Sequence, residues 1–325
     1  MSRNELFLTG GTGFVGSHVL RALLEEGYRV RALVRRPTAE LPGDGRCRAI
    51  VGDLARPGEL AREMRGCRYL VHVAGLYSFA PRHRPVMWRT NVAGTRGLLE
   101  AARLAGVERA VVTSSSAAVG PARPGQPATE ETPPTHGRPS AYHASKLAAE
   151  RAALAARVPV VVVLPTAPVG SNDWRPTPTG RIVLDYMRGR MFASLDGGMN
   201  LVGVGDVARA HVRALERGRL RERYLVGGQN LTFDQMWRML SELTGRPRPR
   251  VRLPRRAALG LAWADEARCR LAGADPVVPL EGVRMAAHLM HVDDAKARRE
   301  LGHRPSPVVL ALAEAVGWYR RHGYA

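Results

Sequence analysis

A tyrosine followed four residues later by a lysine, Tyr142-His-Ala-Ser-Lys146, carries the strongest chemical signal in this chain. That lysine is one of only two, against 47 arginines, in a protein that otherwise writes positive charge as guanidinium. Arginine does not replace a compact, rotatable ammonium beside a titrating group. The flanking Ala144, Ala148, Ala149, Ala152 and Ala153 predict a helix. An i, i+4 spacing then sets Tyr142 and Lys146 side by side on one face. A cation there is expected to favour the phenolate and bring the tyrosine pKa toward working pH, making Tyr142 a general acid or base. A coincidental surface pair is the alternative, and the remaining motifs weigh against it.

Thr9-Gly10-Gly11-Thr12-Gly13-Phe14-Val15-Gly16 follows the first strand and opens the first helix. Glycines at 10, 13 and 16 suit a tight turn, backbone approach to a pyrophosphate and close helix–strand packing. The helix N-terminus offers N–H groups and a positive dipole end to phosphates. A merely structural turn is the alternative. The strand before and the helix after favour a dinucleotide site built from Gly10, Thr12, Gly13, Phe14, Val15 and Gly16. At the end of the second strand an acid would bind the ribose 2′-hydroxyl of NAD, and a basic residue the 2′-phosphate of NADP. Here the strand ends Val34-Arg35-Arg36 and no acid follows until Glu40. About one residue in seven is arginine, so the missing carboxylate says more than Arg35 does. NADP is the expected cofactor, with NAD the alternative.

Gly52-Asp53-Leu54 closes the third strand. Asp53 suits either acceptance from an adenine amino group, with Leu54 over the ring, or a cap on the helix near Pro57–Glu63. Val73-Ala74-Gly75 ends the fourth strand with small residues, as close passage of a cofactor requires, and His72 reads as a packed strand residue. Val111-Val112-Thr113-Ser114-Ser115-Ser116 ends the fifth strand, where ligands of open α/β sheets bind.

With Gly10, Gly13 and Gly16, Asp53, Asn91, the Thr-Ser-Ser run and Tyr142-x-x-x-Lys146 in this order, the chain resembles the extended short-chain dehydrogenase/reductases along its whole length. Within that group it is similar to the dihydroflavonol-reductase-like branch and to the hopanoid-associated sugar epimerases of bacteria. Pro176-Thr-Pro-Thr-Gly-Arg-Ile-Val, Glu222-Arg-Tyr-Leu-Val-Gly-Gly-Gln-Asn-Leu-Thr and Leu243-Thr-Gly-Arg-Pro carry the finer likeness. The resemblance implies Ser115 as the active-site serine, with Ser116 as a competing neighbour. It implies Tyr142 as proton donor or acceptor, and Lys146 holding the nicotinamide ribose while lowering the tyrosine pKa. Asn91 would support the proton-relay region, and Pro165-Thr166-Ala167-Pro168 would lie along the nicotinamide.

The implied chemistry is hydride transfer to or from a carbonyl/alcohol carbon, with NADPH-dependent reduction of a keto-sugar or polyol-like small molecule in front. The alternatives are an NAD-retaining sugar epimerase linked to hopanoid lipids and a non-catalytic NADP sensor. The family commonly has Val-His-Val-Asp-Asp where this chain reads Val202-Gly203-Val204-Gly205-Asp206, and Gly-Pro where it reads Gly170-Ser171. Both departures lie near the pocket and loosen any transfer of substrate identity.

Apolar content of 45% in 325 residues suits a globular protein with a full core. Cys47, Cys67 and Cys269 are odd in number and lack metal-ligand spacing, so no metal and a reducing cytoplasm are expected. A strand starting at Leu6 leaves no room for a signal peptide. The net charge of +20 is spread along the chain without a nucleic-acid-binding signature. That leaves a solvated arginine surface or peripheral contact with an anionic membrane. A monomer or homodimer is the family's habit.

The elements that must position these groups read as alternating strands and helices. Strands are expected at Leu6–Thr9, Arg29–Val34, Ala49–Val51, Tyr69–Val73, Arg109–Thr113 and Val160–Leu164, with the first helix over Phe14–Glu26. This alternation predicts an α/β, doubly wound parallel sheet, a Rossmann domain over residues 1–165. Asp206–Arg217 reads as a helix and Tyr224–Val226 as a strand, so 203–230 is expected to return to that sheet. Residues 166–202 and 231–325 read as a smaller, mostly helical substrate lobe.

Overall fold

The computed structural model describes residues 4–37, 41–42, 45–78, 80–123, 125–134, 140–272, 276, 280–286 and 289–325. Glu40, the first acid after the second strand, lies outside them. The chain runs β1 (Glu5–Thr9), α1 (Phe14–Glu25), β2 (Arg29–Val34), β3 (Cys47–Val51), α2 (Pro57–Glu63), β4 (Tyr69–His72), α3 (Arg84–Trp88), α4 (Thr95–Leu104), β5 (Arg109–Thr113), α5 (Ala141–Leu154) and β6 (Val160–Pro165). It continues β7 (Ala167–Val169), α6 (Pro178–Met187), β8 (Ala193–Ser194), β9 (Gly198–Gly203), α7 (Val204–Arg217), β10 (Arg223–Val226), β11 (Gln229–Thr232) and α8 (Phe233–Thr244). The remainder is β12 (Val251–Arg252), α9 (Arg255–Ala272), α10 (Leu280–Ala286), β13 (Leu289–Met290), α11 (Ala295–Leu301) and α12 (Val308–Arg321).

Runs such as Leu6-Phe7-Leu8 and Val160–Leu164 are apolar at every position, the pattern of strands covered on both faces. Seven strands form one parallel sheet in the order β10-β6-β5-β4-β1-β2-β3. One face packs on α1 and α7 through Leu20, Leu23, Val207 and Leu215. The other packs on α2, α4 and α5 through Leu60, Leu98, Leu99 and Ala153. The strand order reverses between β1 and β4, so loops leaving their carboxyl ends diverge and open a crevice. Strand limits move by a residue or two from expectation: β3 starts at Cys47, which sits in register with Val30. β6 runs on to Pro165, opposite Val226.

A smaller sheet, β11-β9-β13 with β7 also on β9, stands beside the first. It packs with α6, α8 and α12 around Tyr186, Trp237, Leu312 and Tyr319. The Tyr186 and Trp237 rings stack 5.6 Å apart. Within Val202–Asp206 the position shared with the family has a structural use: buried Asp206 accepts from the Ser306 backbone N–H at 3.0 Å and so ties α7 to the loop before α12.

His72 is a packed strand residue and joins β1 to β4 and α4. Its Nδ1 lies 2.7 Å from the Thr9 hydroxyl and its Nε2 2.9 Å from that of Thr95. Thr95 donates to the Asn91 carbonyl at 2.6 Å, so Nε2 carries the proton and Nδ1 accepts from Thr9. Burial, with the Lys146 charge adding to it, pushes the His72 pKa down to about 3. His211 on α7, likewise buried, is pushed down to about 4. An unfolded chain protonates both near pH 6.5, so their contribution to stability is full above that pH and is lost as pH falls toward 3–4. We expect His72→Gln to flatten the stability–pH curve between pH 6 and 4 by one proton, about 1.4 kcal/mol per pH unit. Denaturant titrations with equal slopes for both proteins would contradict this.

Candidate active site

The crevice is a cleft of about 1420 Å³, larger than the roughly 300–1,000 Å³ of a single small-ligand pocket. One end is walled by the β1–α1 turn: Gly10, Thr12, Gly13, Phe14, Val15 and Gly16. Arg35 beyond β2, and Asp53 and Leu54 beyond β3, continue that wall. Val73, Ala74 and Gly75 beyond β4, Ser115 beyond β5, Tyr142 and Lys146 on α5, and Pro165 and Thr166 at β6 line its centre. The cleft thus brings together every candidate site residue named from the sequence except Asn91.

Two glycines make the turn possible. Gly10 has φ +79°, and a Cβ there would stand 2.6 Å from the Ala74 nitrogen. A Cβ on Gly16 would overlap the Gly10 carbonyl oxygen. The N-cap of α1 is Gly13, with no side-chain cap and no acid in the first turn. Its N–H groups are therefore left for an anion. A backbone cradle only glycine can form, an uncapped helix end and small residues at 73–75 fit a dinucleotide.

Asp53 does not cap α2. Its Oδ1 accepts from the Ala55 N–H at 2.9 Å, closing the turn before the helix, whose N-cap is Arg56. The short Asp53–Ala55 span leaves the side chain bonded locally instead of reaching the helix end. Asn91 lies behind the wall, in a π-helical turn over Arg89–Gly94. Its side-chain amide donates to the Leu76 carbonyl at 3.0 Å and to Ser145 Oγ at 3.1 Å, and its Oδ1 accepts from the Leu76 N–H at 2.8 Å. It pins the loop after β4 to α5.

Helix α5 is capped by Ser140, whose hydroxyl accepts from the His143 N–H at 3.2 Å. Tyr142 is buried against Tyr77, the rings stacked with centroids 4.2 Å apart. Its pKa contradicts the sequence expectation: burial pushes the phenol up to about 12, opposed by a hydrogen bond from Ser115. Desolvation of the phenolate outweighs the neighbouring cation, because Lys146 turns toward the sheet. Its Nζ donates to the Thr113 carbonyl at 2.8 Å. Burial pulls the ammonium down to about 8, with Glu150 opposing.

Sequence reasoning missed Glu150, Arg223, His211 and Tyr77. Glu150 continues the α5 ladder one turn past Lys146 and is held by Arg223 at 2.7 Å and Ser114 at 2.5 Å. That i+4 step was readable. His211 accepts from Thr113 at 2.8 Å and arrives from α7, and Tyr77 arrives from the loop after β4. No local pattern marks either. The arrangement offers a neutral phenol beside a hydroxyl, with an ammonium one turn deeper: a proton donor, an oxygen-binding group and a cation.

The chain belongs to the NAD dependent epimerase/dehydratase family, whose pattern matches residues 6–227, and so to the extended short-chain dehydrogenase/reductases. It is 43% identical over 331 residues to a dihydroflavonol 4-reductase-like protein of Synechocystis, covering 98% of this chain and 95% of that one. It is 35% identical over 322 residues to sterol demethylase protein B of Methylococcus capsulatus, covering 97% and 98%. The crystal structure of gox2253 superposes with a TM-score of 0.86 at 39% identity over 99% of both chains. The protein is an NAD(P)-dependent enzyme of this family.

The ammonium at position 146 loses its charge as pH rises through about 8. Cofactor affinity, measured by titration of nicotinamide fluorescence, is expected to weaken above that pH. In Lys146→Arg affinity is lower throughout, because the guanidinium fork does not fit the ammonium's place, and the alkaline limb disappears because arginine stays charged. An unchanged affinity and an unchanged limb in the variant would remove Lys146 from the site.

Proposed function

We propose that this enzyme is an NADPH-dependent reductase of a ketone on a largely apolar carbon skeleton. In this reading residues 166–202 and 231–325 form a substrate lobe over a dinucleotide-binding unit of 1–165 and 203–230. The observation that carries it is the Tyr142 phenol, buried at the centre of the cleft and kept protonated up to about pH 12, beside Ser115. A phenol protonated at neutral pH is poised to give a proton to an oxygen that is gaining negative charge, which is the reductive direction. When bound, the nicotinamide supplies the hydride. Ser115 holds the substrate oxygen, Tyr142 donates to it, and Lys146 holds the ribose side while its charge compensates the phenolate left behind. Asn91 keeps the Leu76 loop and α5 in register, and so positions Tyr142.

Arg35 supports NADP over NAD. It is exposed at the end of β2 and lines the cleft where a 2′-phosphate would stand. Substrate class is where the structure moves the reading furthest from a keto-sugar or polyol. Beyond Tyr142 the cleft is walled by Ile182, Met199, Phe233, Met285 and Met290, with Ser140, His143, Thr177, Thr179, Asn200, Glu281, Arg284 and His291 as the polar groups among them. A polyhydroxylated substrate would set part of its surface against the five apolar side chains, where its hydroxyls find no partner. Two relatives carry dihydroflavonol and sterol in their names, both fused-ring molecules, in keeping with such a lining.

Tyr142→Phe is expected to lower kcat by about 10²–10⁴-fold while leaving the NADPH dissociation constant unchanged. Retained turnover would refute the assignment. Arg35→Asp should weaken NADPH binding by about 10–100-fold and spare NADH, the size of a lost charge-assisted hydrogen bond. Assays of cyclic ketones against keto-sugars, at equal concentration, should favour the ketones. Purification with NAD tightly retained, together with sugar epimerisation, would overturn the reductase reading.

A further inference from the structure

We propose that the outer face of α9, Arg255–Ala272, docks this enzyme on an anionic lipid bilayer. The helix has two unlike sides. Ala258, Ala262, Glu266 and Cys269 are buried, and the helix packs on Leu195, Leu253, Leu280 and Val283. The opposite side carries Gly260, Trp263, Ala264, Ala267 and Leu271, at the i, i+3, i+4 spacing of one stripe. Trp263 is 67% exposed and Leu271 93% exposed, with Leu261 on the flank also exposed. Large apolar side chains collected this way on one face mark an interaction surface.

Charge commits the occupant. Between Arg246 and Ala272 stand eight arginines, all exposed, and two acids. Those acids face away from the stripe: Glu266 is buried, and Asp265 pairs with Arg268 at 2.7 Å. Arg256, Arg268 and Arg270 border the stripe, and Arg246, Arg248, Arg250, Arg252 and Arg255 lie just before it. Phe192, 70% exposed, shares a shallow pocket with Arg246, Arg248 and Arg250. A Trp and Leu stripe edged by arginine is the surface an interfacial helix presents, with its apolar face in the acyl boundary and its guanidinium groups at anionic headgroups. Among the described residues no helix is long and apolar enough to cross a membrane, so this contact is peripheral.

The position gives the contact a purpose. Helix α10 packs against α9, and its Glu281 and Met285 line the substrate end of the cleft. An apolar ketone dissolved in the bilayer would then enter one helix layer away from the surface. This purpose rests on the substrate reading above. Docking itself does not, and is measured without substrate or turnover.

The test is sedimentation of the full chain with phosphatidylcholine vesicles with and without about 30% phosphatidylglycerol. Binding is expected only to the anionic vesicles, and weaker by about tenfold or more in Trp263→Ala/Leu271→Ala. Trp263→Phe should bind like the parent but lose much of the fluorescence quenching by brominated lipid. Both substitutions are on the surface, so NADPH turnover of a soluble ketone should be unchanged. Absence of binding to anionic vesicles would overturn the proposal. So would equal binding by the double variant, which assigns it to scattered arginines. A concentration-dependent dimer abolished by the double variant would show the face to be covered by a second copy instead.

Discussion

How closely the turn after β1 can approach the end of β4 sets everything else in this molecule. The two strands lie side by side at the point where the sheet reverses its order, and the Gly10 backbone presses on Ala74. A side chain at Gly10 would force them apart and shift the floor beneath Gly75, and one at Gly16 would push the Gly10 carbonyl out of the turn that leads to the α1 N-terminus. A Cβ on Gly75 would in turn meet Asn91 and Lys146, at 3.4 and 3.8 Å. The same close packing therefore runs from the cofactor turn to the chemical centre.

At that centre the electrostatics come from dryness more than from pairing. Burial raises Tyr142 and lowers Lys146, so both are held nearer their neutral forms than they would be in water. Glu150 and Arg223, tied together below, keep charge within reach of the ammonium without bringing a carboxylate to the phenol. His72 and His211 sit neutral around them, bonded through threonine hydroxyls. A phenol in such a place holds a proton that it can give to a developing alkoxide, the role the proposed reduction asks of it.

The sheet was legible because its signals are local. Apolar runs of strand length, glycines at 10, 13 and 16, and helices between them each show in a few consecutive residues. So was the ladder Tyr142 and Lys146, which needs only helical spacing. The sign of the tyrosine shift was not legible, since it depends on Tyr77 stacking on the ring and on Lys146 turning to Thr113, both tertiary events. Asn91 was marked by family order but not its place behind the wall, which a π-turn decides. The apolar lining beyond Tyr142 was hidden for the same reason: Met199, Phe233 and Met290 come from β9, α8 and β13, far apart in the chain and joined only by folding.

The central claim is that this cleft moves a hydride to a carbonyl carbon and leaves the oxidised cofactor free to go. Mass spectrometry of product formed from NADPH deuterated at the transferable C4 position tests it most directly. The account predicts one deuterium on the new carbinol carbon and stoichiometric release of NADP. Product without deuterium, or with the cofactor regenerated on the enzyme, would contradict it.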